Sequence, residues 1–194
     1  MSTLGELLRD FERSAFRLEA LDRYLVEEEE PSFAAFLRGE PQPPDDPGFD
    51  AWLDGLRQKR AAGKEMVRVH VIVGPLTPYL RYELEWGYSM TVPAGEDVRI
   101  LHRPSWEDTP FGRQPSDFWL LDDKVAAVMH YAPDGQWLGA DIVTESAEVG
   151  RCRSLRDLAV SHSVPLRDYL AALRSLPVDP SGLLPRHAED RRLT

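Results

Sequence analysis

MVRVHVIV, residues 66–73, followed at once by Gly74-Pro75, is the stretch whose reading decides the fold. Val67, Val69, Val71 and Val73 occupy every second position, the period of a strand with one face turned to a core. Gly74-Pro75 breaks it. Pro78 then suits the first position of a helix, and Tyr79, Tyr82, Glu83 and Trp86 recur at i, i+3, i+4 and i+7. The spacing predicts a helix over 78–86 closed by Gly87. Ala94-Gly95 reads as a turn and EDVRIL, residues 96–101, as a second strand. The unit is strand, helix, strand.

Working outward from it, residues 102–115 form a polar, proline-containing loop, long for a compact domain and of a kind that often carries function. Three more strands are predicted over 117–121, 125–131 and 136–144. Asp122-Asp123 and Ala132-Pro133-Asp134-Gly135 supply the turns between them. From Ser146 the pattern is helical, breaks at Ser163-Val164-Pro165, and resumes with Leu166, Tyr169, Leu170 and Leu173. Toward the N-terminus, Leu4, Leu7, Leu8 and Phe11 mark a short helix, while residues 15–25 read either as a strand or as more helix. The run Glu27, Glu28, Glu29, Glu30 reads as a solvated face. Phe33, Phe36 and Leu37 give a further helical turn or two. Residues 40–48 hold four prolines and a glycine and form an irregular connector. Trp52, Leu53 and Leu56 mark another helix, with Asp50 as its N-cap.

The sum is an α+β or α/β domain over 1–176. It has one mixed sheet of five or more strands, a strand–helix–strand unit, an antiparallel meander and flanking helices. A Pro- and Arg-rich stretch, 177–194, reads as a disordered tail.

The chain of 194 residues has a formal net charge of −10. Residues 1–50 hold 13 acids against 5 arginines, a net of −8; residues 151–194 hold 8 arginines against 5 acids, a net of +3. Duplex-binding domains carry the opposite sign overall, so a basic protein partner is expected in place of nucleic acid or an anionic membrane. The single cysteine, Cys152, fits a reducing cytoplasm. No apolar run is long enough to span a bilayer, and the first ten residues have no secretory pattern.

No glycine-rich phosphate loop, zinc-protease helix or nucleophile elbow occurs. The histidines at 70, 102, 130, 162 and 187 have no metal-ligand spacing, so neither a metal nor a cofactor is expected, although His70 and His130 both lie in predicted strands. Asp117, Asp122 and Asp123 bracket a strand and read as turn builders. Arg81 stands out in the first turn of the 78–86 helix, an unfavourable place for a cation, although it can pair with Glu85 at i+4. A ligand or partner site is therefore expected where that helix meets the 102–115 loop. Arg81 would supply charge, Tyr79 and Trp119 flat walls, and His102 the loop's first residue. Residues 155–174 have a superficial helix-turn-helix rhythm, but Pro165 opens the second helix, so an ordinary helical hairpin on the sheet is expected.

DFERSAFRLE (10–19), FLRGEPQP (36–43), YLRYELEWGY (79–88), GEDVRIL (95–101), DFWLLDDKVAAVMHY (117–131) and GQWLGADIV (135–143) occur in order. In these the chain resembles an uncharacterised actinobacterial family of unknown function, often encoded beside helix-turn-helix regulators. A fainter resemblance, in the rhythm of 95–101 and 117–143, is to the phospholipase D superfamily, whose HxK motif this chain lacks. The first likeness implies no known activity, and the missing HxK motif argues for binding over catalysis, so the leading expectation is a non-enzymatic regulatory or partner-binding protein working with a DNA-binding regulator. A small-molecule or phosphoryl-processing enzyme, and direct DNA binding through 155–174, are the alternatives. Oligomeric state is not legible.

Overall fold

In the computed structural model, which describes residues 3–43 and 47–175, MVRVHVIV lies in the second of seven strands of one mixed sheet. The chain runs α1 (Leu4–Asp10), β1 (Ser14–Glu19), α2 (Glu30–Leu37), α3 (Pro47–Ala61) and β2 (Glu65–Val73). It continues through α4 (Pro78–Tyr82), a π turn (Glu83–Gly87), α5 (Tyr88–Ala94), β3 (Glu96–Arg103), β4 (Phe118–Leu121) and β5 (Val125–Tyr131). It ends on β6 (Trp137–Val143), α6 (Ser146–His162), β7 (Val164–Pro165) and α7 (Leu166–Ser175). The strand order is β6-β5-β4-β1-β2-β3-β7. β1, β2 and β3 are parallel, and every other pairing is antiparallel. The fold is the α+β architecture expected. The predicted 177–194 tail and the middle of the 40–48 connector lie outside the described residues.

Of the two readings of residues 15–25 the strand holds, over 14–19 at the centre of the sheet, because Phe16 and Leu18 bury on one face while the other is covered as well. Two details differ from expectation. The helix begun at Pro78 does not close at Gly87. It passes through the π turn and runs on to Ala94, burying Tyr88 and Thr91, and the positive-φ closing residue is Gly95 (φ 125°). The 146–175 segment is not a hairpin on one face: α6 and α7 cover opposite faces, and the chain crosses between them at β7, paired to the edge of β3.

Alternation assigns the faces. Phe16, Leu18, Val69, Val71, Leu101, Phe118 and Leu120 meet Val149, Cys152 and Ala159 of α6 on one face. Leu18 and Val69 are fully removed from solvent, worth roughly 1.5–3 kcal/mol each. The opposite face has two apolar ends. At one, α1 and α3 cover Ala15, Met66, Trp119 and Leu121; at the other, α4, α5 and α7 cover Ile72, Val98 and Ile100. The band between those ends is polar.

Asp122 and Asp123 take positive φ (53° and 59°) at the β4–β5 turn, as their short polar side chains allow. Asp122 accepts the backbone N–H groups of Glu12, Arg13 and Ser14 at 2.7–3.0 Å and so ties down the start of β1. No helix among the described residues is long and apolar enough to cross a membrane.

Candidate functional site: a buried charged layer beneath an acidic, aromatic cleft

The polar band is a product of strand register. β1 turns Arg17 and Glu19 to this face, β2 sets Arg68 beside Arg17 and His70 beside Glu19, and β3 opens with Glu96. Asp117 precedes β4. Two arginines side by side on adjacent strands repel unless counter-charges intervene. Glu19 Oε1 lies 3.3 Å from Arg17 Nε and 2.7 Å from Arg68 Nη1. Arg68 Nε donates to Glu96 Oε1 at 2.9 Å. Arg17 Nη2 lies 3.3 Å from Asp117 Oδ2 and donates to the Tyr131 hydroxyl at 2.8 Å. Each guanidinium also stacks on a ring, Arg17 over Trp119 and Arg68 over Tyr88, both at 5.5 Å.

Phenols and a histidine complete the layer. Tyr24 donates to Asp117 Oδ2 at 2.6 Å, and the Ala20 N–H to its other oxygen at 2.9 Å. The Tyr88 hydroxyl lies 3.1 Å from Glu19 Oε2 and 2.7 Å from His70 Nδ1, while His70 Nε2 faces the Leu21 carbonyl at 3.1 Å. A neutral His70 protonated on Nε2 satisfies that carbonyl. It leaves the single Tyr88 proton shared between Nδ1 and Glu19. Burial does push His70 below its ordinary value, toward that neutral form.

The carboxyls are held far apart in acidity. Burial opposes ionisation of Glu19, but the guanidiniums of Arg68 and Arg17 outweigh it and hold Glu19 well below the usual range. Burial, opposed by Arg17, lifts Asp117 to about 6. Glu83, half-buried in the π turn, is pushed up to about 8, first by burial and then by the Glu29 and Glu19 carboxylates. Three buried polar atoms have no hydrogen-bond partner among the described residues: Arg17 Nη1, Thr91 Oγ1 and Glu96 Oε2.

Above this layer open two joined clefts that share Val26, Glu29, Arg68 and Glu83. The larger, about 580 Å³, lies between the turn before α2, the start of α3, and the π turn with α5. Phe49, Trp52, Tyr82 and Trp86 contribute rings to its lining, and Glu28, Glu29, Asp50 and Glu83 contribute carboxyls. The smaller, about 310 Å³, lies over Arg17, Glu19, Tyr24 and Tyr131. α2 fixes the aromatic wall: Phe33 packs on Tyr79 and Tyr82 at 5.4 Å, and Phe36 on Trp86 at 5.3 Å. Gly87 makes room for the acid, since a Cβ there would stand 3.2 Å from Glu83 Oε1.

The residues anticipated from sequence are dispersed around this arrangement. Tyr79 lines the smaller cleft and donates to Glu29 Oε2 at 3.0 Å. Trp119 lies beneath Arg17. Arg81 is half-buried on α4 and lines neither cleft, and its i+4 pair with Glu85 is not formed among the described residues. His102 also lines neither; it bridges the Tyr169 hydroxyl at 2.7 Å and the Gly74 carbonyl at 2.6 Å. His70 and His130 do not meet. β1 and β4 separate their strands, and His130 pairs with Asp141 at 2.8 Å. Asp117 belongs to the layer, whereas Asp122 and Asp123 serve the turn. Sequence reasoning missed Arg17, Glu19, Arg68, Glu83 and Tyr88. For Arg17, Glu19 and Arg68 the one signal is charge inside otherwise apolar central strands, FRLEA (16–20) and VRVHV (67–71); Glu83 and Tyr88, in the π turn and α5, give none.

An open mixed sheet with a buried, internally paired charged layer under an acidic, aromatic cleft defines an α+β protein whose concave, aromatic-lined surface lies over the centre of the sheet. The chain matches the family described as Domain of unknown function (DUF6879) over residues 2–171, and it belongs to that family. No curated protein matches it.

Proposed function

We propose that this is a non-enzymatic, cytoplasmic regulatory protein whose cleft receives a small-molecule signal and whose surface engages a protein partner. The resemblance seen in the sequence suggests a helix-turn-helix regulator as that partner. The observation that carries the reading is the internal pairing of the layer. Arg17 and Arg68 are each held by two carboxylates, and His70 has both ring nitrogens engaged. Buried ion pairs add little stability compared with apolar packing. Placed across four central strands, they shape and orient a recognition surface. Cys152, on α6, is buried against the opposite face of the sheet, where burial raises its thiol above the ordinary value. For the partner, Trp137 and Leu138 on edge strand β6 are 52% and 65% exposed, and Trp137 also lines the smaller cleft. The edge is thus linked to the ligand site. Affinity capture from native extract tests the partner role. A DNA-binding regulator should be recovered in stoichiometric amount with the parent chain and lost with a Trp137→Ser, Leu138→Ser variant. Equal recovery with both would sink this edge as the contact.

One arrangement favours an enzyme instead: Glu19 and Glu83 both line the smaller cleft, and their surroundings favour the carboxylate at Glu19 and the protonated acid at Glu83, as in acid–base pairs. That reading requires turnover with a pH limb near 8 that Glu83→Gln abolishes.

A further inference from the structure

Among the described residues the larger cleft has an excess of acid. Glu28, Asp50 and Glu83 have no ion pair there. Arg68, the one cation among the described lining residues, is already taken by Glu19 and Glu96. A buried acceptor also wants a donor. Thr91, 4% exposed, lines the cleft with its hydroxyl unpartnered among the described residues. Rings of Tyr82, Trp86, Phe49 and Trp52 form the rest of the wall. Carboxylates with aromatic faces are the arrangement that binds organic cations, and a hydroxyl oxygen without a donor accepts an N–H group of the cation. A bare metal ion would leave the aromatic wall unused, and an anion would meet four carboxyls. The volume suits a small ligand with a flat body.

We propose that the larger cleft binds an organic cation, a primary amine or guanidine carried on a flat apolar body, with its head against Glu83 and Thr91 and its body between Trp86 and Trp52. This rests on the reading of the cleft as a ligand site and names the ligand's class. It has a consequence in protons. Glu83 is faced by Glu29 from the turn before α2, Glu19 from β1, Arg68 from β2, Tyr79 from α4 and Tyr88 from α5. Burial first, and then the acids among them, keep its proton on at neutral pH, and an arriving cation expels it.

Calorimetry on the full chain at neutral pH, in two buffers of different ionisation enthalpy, tests this with 2-phenylethylamine, 3-phenylpropionate and 2-phenylethanol. The amine should bind at least about tenfold more tightly than the other two and release a proton. Glu83→Gln should weaken the amine about tenfold and abolish the release, with melting temperature checked alongside. Glu28→Gln, at an exposed position, should weaken it less and leave the release intact. If the carboxylate or alcohol binds as well as the amine, the cleft stands as a ligand site and the cation assignment falls. If none of the three binds at millimolar concentration, both readings fall.

Discussion

At Glu83 burial, and after it the Glu29 and Glu19 carboxylates, raise the carboxyl, and the sign of its effect on stability follows. Its folded value, about 8, lies above the ordinary 4.5. Between those values the folded state binds more protons than the unfolded one, so stability falls as pH rises from about 5 to about 9. The loss amounts to a few kcal/mol. Urea denaturation across that range should show the decline in the parent and a flatter profile in Glu83→Gln, with the variant the more stable at pH 9. A parent profile flat above neutrality would show that Glu83 ionises normally. Arg68 behaves oppositely. Arg68→Met strands Glu96 as a buried anion, leaves Glu19 with Arg17 as its remaining guanidinium, and should cost ~3–5 kcal/mol. A loss below ~1 kcal/mol would mean that water reaches the layer. Neither residue was legible as a site residue. The valines of 66–73 show where one face of β2 goes. The intervening Arg68 and His70 look like a solvent face, because an alternating strand covered on both sides reads the same as one covered on one side.

At the scale of elements, the helix over 78–86 was legible in its start, its spacing and the buried side of Tyr79 and Tyr82, but not in its course. A glycine after a helical run ordinarily ends it. Gly87 serves instead as space for Glu83 Oε1, and the π turn around it is a single-turn insertion of the kind often found at functional sites. Gly87→Ala separates the two roles. Alanine suits a helix better by roughly 0.5–1 kcal/mol, so the melting temperature should hold or rise. The added Cβ should displace the Glu83 carboxyl and weaken 2-phenylethylamine by several-fold in the same calorimetry. Unchanged binding would show that the carboxyl does not need this space. Arg81→Ala is the contrasting change: with no place in either cleft, it should cost ~0.5 kcal/mol or less and leave amine binding intact. The ambiguity at 15–25 has a similar origin. Arg17 and Glu19 dilute the apolar alternation of β1, so only the partners on β2 and β4, invisible locally, settle it as a strand.

For the whole molecule, charge and topology lead to the same expectation about nucleic acid. The net charge of −10 opposes the phosphate contacts that dominate duplex affinity. The basic character of 151–194 does not reverse this among the described residues. Arg151 pairs with Glu148, Arg156 with Asp123 and Asp157, and Arg167 with Asp168. α6 and α7 also sit on opposite faces of the sheet, so they cannot present the packed helix pair that carries a recognition helix into a major groove. The protein alone should therefore give no mobility shift with duplex DNA of any sequence at physiological salt. Low salt should produce at most a weak, sequence-independent shift that fades as salt rises. If a regulator is its partner, DNA binding should appear only in the mixture, with the footprint of the regulator. The outcome that would sink this expectation is micromolar binding by the isolated chain at physiological salt, lost when Arg167 and Arg174 are replaced by alanine. That result would place a phosphate-contacting surface on α7 and make the acidic remainder of the molecule a bystander to it.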